Sequence, residues 1–169
     1  MTRLGLIYFY FAALMSSKKA KNVADMIGSI IAKQIELALR ANRSVALSNL
    51  SSAFLVGYVY EFTRLSFTNQ GLKGDLVDRF IRRIAKKTSA VDLYPLFEHQ
   101  LRNLEYAERL NIRDQIDDFE QGSLYGAYDG SSVNYLEENV YRGFKNRSLY
   151  RYLKSESLPV FELDDLIAY

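Results

Sequence analysis

The sequence predicts an all-α fold, a single-domain bundle of six or seven helices with a central apolar helix. Three observations point there. Apolar residues recur at i, i+3, i+4 and i+7 through most of the chain. Two prolines and nine glycines among 169 residues leave few breaks, which favours long helices. Strand-like alternation is nearly absent. An apolar share of 49% against 25% charged is an ordinary globular balance. A chain this long buries roughly two thirds of its unfolded surface, enough for a core without metal or disulfides.

The chain opens "MTRLGLIYFYFAALMSSKK", and residues 4–15 carry no charge. A membrane span needs about 20 apolar residues, so this run is too short to cross a bilayer as a regular helix. A basic start and an apolar centre fit a signal peptide, but "LMSSKK" offers no A-x-A-like cleavage site. The preferred reading is a helix covered on all sides, with membrane contact as an alternative. Residues 20–41 read as an amphipathic helix. Val23, Met26, Ile27, Ile30, Ile31, Leu37 and Ala38 form the stripe, and Lys21, Asp25, Ser29, Lys33, Glu36 and Arg40 the opposite face. Gln34 falls inside the stripe, where its amide needs partners and could fix helix register.

Asn42 and Ser44 punctuate a short break. A third helix is predicted over residues 45–67, apolar nearly all round and hence central. Its polar residues, Asn49 and Glu61 among them, argue against a bilayer span. "TNQGLKG" ends it with glycine. The next helix, "GDLVDRFIRRIAKKT", has a narrow apolar face of Leu76, Val77, Phe80, Ile81 and Ile84. A fifth begins near Ser89 or Asp92, with Pro95 in its tolerant first turn, and reaches about Leu110. "RDQIDDFEQ" reads as a short acidic helix, and the glycine-bearing "GSLYGAYDGSS" as a long loop. A last helix is expected from about Ser132 to Tyr152, with a kink near Asn146 because its two apolar stripes do not align. Residues 155–169 read as an extended acidic-apolar tail.

With no cysteine, disulfides, thiolate nucleophiles and cysteine-bearing metal sites are excluded. One histidine, His99, excludes multi-histidine zinc sites within one subunit. The net charge of +2 conceals an asymmetry: +9 over residues 1–89 and −7 over residues 90–169. Such halves can pack on each other or on a second copy.

Two basic clusters are candidate partner-binding surfaces. Arg79, Arg82, Arg83 and Lys86 share one helical arc, suited to phosphates or an acidic protein. Asp75 and Asp78, four residues ahead of Arg79 and Arg82, equally suit a solvated helix face with its own ion pairs. The second cluster contributes Tyr141, Arg142, Arg147, Tyr150 and Arg151. Tyr interleaved with Arg suits a protein interface or single-stranded nucleic acid. Asp114, Asp117 and Asp118 share one face and read as solvated, since a lone acidic cluster is weak evidence for a cation. Glu61 with Arg64 three residues on reads as a paired, half-buried ion, and His99 as a surface residue.

No catalytic set, metal site, cofactor or small-molecule substrate emerges. The expected function is a non-enzymatic, cytoplasmic protein–protein interaction module, an adaptor, regulator or assembly subunit that self-associates as a homo-oligomer. Nucleic-acid binding through residues 79–86 and 141–154 is one alternative, and membrane association through residues 4–15 the other.

Overall fold

The computed structural model describes residues 3–73, 76, 80–81, 83–84, 93–131 and 147–158. Among these it is mostly helical and contains no strand. The elements are α1 (Arg3–Ala41), α2 (Arg43–Asn49), α3 (Ala53–Asn69), α4 (Leu93–Leu110), α5 (Arg113–Ser131) and α6 (Ser148–Leu153).

Where two helices were expected at the start, α1 is one uninterrupted helix of 39 residues. The reason is local: "SSKK" at 16–19 contains no glycine or proline, and serine and lysine cost little inside a helix. At 1.5 Å per residue α1 is about 58 Å long. From Ala20 to Ala38 its stripe of Val23, Ile27, Ile30, Ile31 and Ile35 is buried, while Met26 and Leu37 pack at its edge. α1 ends at Asn42, whose extended backbone and side-chain oxygen cap the Val45 N–H at the start of α2.

The helix predicted over 45–67 is two helices, separated at residues 50–52. Ser52 is extended and its hydroxyl makes no cap. The carboxylate of Asp118, on α5, accepts the Phe54 N–H instead, 3.0 Å away. A tertiary cap thus completes the start of α3, directly after the turn-forming Ser48, Asn49, Ser51 and Ser52. α3 buries residues on nearly every side, including Phe54, Leu55, Tyr58, Val59, Phe62, Thr63, Ser66 and Phe67. It closes as foreseen at Gly71, whose φ of +67° supplies the left-handed residue. The Leu72 N–H then bonds the Phe67 carbonyl. The same closure recurs where α4 meets α5, with Asn111 left-handed, and after α6, with Ser155 left-handed.

α4 begins at Leu93, so Pro95 lies in its first turn. The largest correction concerns "GSLYGAYDGSS". It is no loop: α5 runs through it to Ser131. Its three glycines are spaced four apart and fall on one face, where α3 lies against them. The last helix is described only from Ser148, after an extended Arg147 at φ −76°, ψ 148°. The kink expected near Asn146 falls outside the described residues. Residues 132–146 and 159–169 lie outside the described residues.

α3 and α5 run parallel, since Phe54, Tyr58 and Phe62 meet Gly122, Gly126 and Gly130 in that order. α1 runs antiparallel to α3, because the Lys19 ammonium bonds the Gln70 carbonyl just past the end of α3. Among the described residues, no helix is long and apolar enough to cross a membrane.

Candidate functional site

The α3–α5 seam brings two backbones together. A Cβ placed on Gly122 would stand 2.1 Å from the Phe54 carbonyl oxygen, and one on Gly126 2.4 Å from that of Tyr58. On Gly130 the corresponding distance to Phe62 is 3.0 Å. Gly57 answers from α3, where a Cβ would lie 2.2 Å from the Phe119 carbonyl oxygen. Small residues four apart permit this approach, as they do between membrane helices. Each glycine costs its helix about 1 kcal/mol relative to alanine, so the packing must return at least that.

The residues of α3 that face these glycines carry rings that stack along the helix. Phe54 and Tyr58 are 6.2 Å apart and nearly parallel, and Tyr58 and Phe62 are 5.6 Å apart. Tyr152 of α6 lies flat on Phe54 at 3.8 Å. At the other end the Arg147 guanidinium stands 5.8 Å from the Phe62 ring centre.

A polar group is buried beside this ladder. Asp129, only 4% exposed, accepts the Tyr58 hydroxyl at 2.7 Å, the Ser148 N–H at 2.9 Å and the Ser148 hydroxyl at 3.3 Å. Arg147 donates to the Asp129 carbonyl at 3.3 Å. Burial raises the Asp129 pKa above the ordinary carboxylate value, and the Tyr58, Ser148 and Arg147 contacts only partly oppose it. Burial, with the Asp129 charge second, holds the Tyr58 phenol well above its usual range. The Gln34 amide, fully buried, lies near enough to the Tyr58 hydroxyl to affect its ionisation. Neither amide atom makes a hydrogen bond of ordinary geometry, nor does the buried Arg147 Nε. Gln34 is therefore buried in the stripe of α1 as expected, where α1 meets the network, but without the hydrogen-bond partners that its amide was expected to find.

Asp129 and Asn49 hold α6 at opposite ends. The Asp129 carboxylate sits at its first N–H. The Asn49 amide of α2 donates to the Tyr152 carbonyl at 2.9 Å and the Ser155 hydroxyl at 3.1 Å. Between these ends Leu149, Tyr150 and Leu153 are buried. Asp118 completes the site, accepting the Phe54 N–H and lying 3.5 Å from the Tyr152 hydroxyl.

This chemistry is that of a clasp. The acceptor oxygens of Asp129 are engaged, and the phenols of Tyr58 and Tyr152 are shifted away from ionisation at neutral pH, chiefly by burial. Among the described residues no group of three or more His, Asp or Glu side chains could hold a metal ion.

The foreseen site residues are distributed differently. Arg79, Arg82, Lys86, Tyr141 and Arg142 lie outside the described residues. Arg83 forms a two-pronged pair with Asp25 of α1 at 2.7 and 2.8 Å, which also raises its pKa. Arg147 caps the ring ladder from inside the fold. Tyr150 is buried under the Lys154 ammonium, 5.2 Å from its ring centre. Arg151 donates to the Ser157 carbonyl at 3.2 Å. Thus Arg147, Tyr150 and Arg151 share the docked segment, and Arg83 pairs with α1.

Asp114 and Asp117 are exposed, as expected, whereas Asp118 turns inward to cap α3. Glu61 pairs with Arg64 at 2.8 Å, and His99 is exposed. Asp129, Asn49 and the glycine face were not foreseen from the sequence. The matching four-residue spacings of Phe54, Tyr58 and Phe62 and of Gly122, Gly126 and Gly130 were the available signal.

No protein-family model, curated protein or solved structure matches the chain.

Proposed function

We propose that this chain is a non-enzymatic helical protein–protein interaction module that self-associates, built as a single bundle around α3. The carrying observation is an apolar corner where α4 turns into α5. Tyr106 is 61% exposed, Leu110 55% and Ile112 37%. Tyr106 and Leu110 are four apart on one helix face, and Ile112 follows directly across the turn. Exposed large apolar groups placed together mark interaction surfaces, and Tyr is an enriched anchor type there. The polarised charge of the two halves favours contact between copies, and a cytoplasmic location fits a chain without cysteine.

The nucleic-acid alternative gains less. The described members of the basic clusters, Arg83, Arg147, Tyr150 and Arg151, are each committed to contacts within the chain.

Sedimentation equilibrium over a wide concentration range tests the proposal. The wild-type chain is expected to gain mass with concentration, and the Tyr106→Glu/Leu110→Glu variant to associate more weakly over the same range. A wild-type chain that remains monomeric throughout, or a variant that associates as strongly, overturns it.

A further inference from the structure

α6 has only six residues, below the roughly 12 at which isolated helices begin to persist in water. It therefore takes its form from the surface that receives it, on α1, α2 and α5. That surface complements both ends of a helix. The Asp129 carboxylate meets the N–H end, and the Asn49 amide donates to carbonyls at the other. Leu149 and Leu153 are fully buried between them, and Tyr152 stacks on Phe54. What is recognised (one N–H, two apolar anchors, one ring and the terminal carbonyls) is contained within residues 148–155. None of these contacts requires the segment to belong to the same molecule.

We propose that the α6 groove is a helical-peptide site, and that residues 148–155 of a second copy of this chain occupy it in exchange for the chain's own. The occupant follows from complementarity: both ends, both leucines and the ring match the segment seen in place. Within one molecule the segment has an effective concentration on the order of millimolar, so exchange is favoured at high protein concentration or where the internal segment is disabled. The groove is separate from the Tyr106–Leu110–Ile112 corner, and each can fail without the other.

The test uses two full-length variants. One, Asn49→Leu/Asp129→Ala, has a damaged groove and an intact segment. The other, Leu149→Glu/Leu153→Glu, has the reverse. Only their mixture contains an intact groove and an intact segment, on different molecules. Native mass spectrometry is expected to show a heterodimer in the mixture that disappears when both partners carry both sets of changes. A labelled peptide of residues 146–158 gives a second measurement. It is expected to bind the Leu149→Glu/Leu153→Glu chain saturably, and the same peptide with both leucines changed to Glu about a hundredfold more weakly or worse. If that chain does not fold, the two peptides are titrated against the wild-type chain to millimolar concentration, with amide exchange at residues 148–153 as readout. No heterodimer together with no saturable binding, or equal binding of the two peptides, overturns the proposal.

Discussion

Gly122→Ala tests the seam on which α3 and α5 are built. Alanine by itself would favour α5 by about 1 kcal/mol. Its Cβ, however, would sit 2.1 Å from the Phe54 carbonyl oxygen and 2.8 Å from the Phe54 Cα. Both are backbone atoms of a helix, so no side-chain rotation relieves the clash. Restoring ordinary contact requires the helices to part by about 1 Å, which forfeits a quarter to a half of the dispersion across the seam. Phe54, Tyr58 and Phe62 together contribute roughly 6 kcal/mol by burial, so the loss is about 1.5–3 kcal/mol. Net of the propensity gain, Gly122→Ala should destabilise by about 0.5–2 kcal/mol, or roughly 1–8 °C in Tm. Gly130 needs only a small adjustment, because its Cβ would stand 3.0 Å from the Phe62 oxygen. Gly130→Ala should therefore be near neutral or slightly stabilising. The expected order of loss is Gly122, Gly126, Gly130, read by urea unfolding followed by circular dichroism. If Gly122→Ala is as stable as wild type, or the order is reversed, the close approach of the two backbones is wrong.

The polar clasp gives the other predictions. Asp129→Ala leaves the Tyr58 hydroxyl and the Ser148 N–H buried without an acceptor, and should cost about 2–4 kcal/mol in urea unfolding. Because the folded state raises the Asp129 pKa, it holds that proton more tightly than the unfolded chain. The stability this group contributes therefore falls as pH rises from the unfolded value, near 3.8, through the raised folded value. Asp129→Asn should remove that slope, so the stability of wild type minus that of the variant should move in favour of wild type on acidification; a difference moving the other way contradicts the assignment. Asn49→Ala should cost about 1–2 kcal/mol, with amide-exchange protection lost first over residues 149–153. Tyr152→Leu removes the stack on Phe54 and should cost about 1 kcal/mol, measured by thermal unfolding.

The amphipathic stripe of α1 was legible because periodicity records which side of a helix is covered. So was the left-handed glycine ending α3, because that residue type meets a local backbone demand. The misreadings occurred where the cause was tertiary. Ser48, Asn49, Ser51 and Ser52 are turn-forming residues at the break, but the Asp118 carboxylate that caps α3 comes from 64 residues away. Asp118 shares its helical spacing with the exposed Asp114 and Asp117, and spacing alone cannot tell an exposed carboxylate from one turned inward.

The glycines show the same limit more sharply. Taken alone, three glycines with serine and aspartate satisfy every local criterion for a loop. They are helical because α3 presents Phe54, Tyr58 and Phe62 at the same four-residue interval, so that each missing Cβ admits a backbone carbonyl. A helix poor in intrinsic propensity thus exists only as half of a pair. The same argument covers α6, which is too short to stand alone and is held by Asp129 and Asn49 from other elements. Asp129 ties the two dependencies together, because it lies on the glycine-bearing helix and bonds both Tyr58 of α3 and Ser148 of α6. Separating α3 from α5 must then loosen α6 as well, so Gly122→Ala and Asn49→Ala should be non-additive, each costing less in the presence of the other. A double-mutant cycle in urea that returns strict additivity would sink the claim that seam and clasp form one cooperative unit.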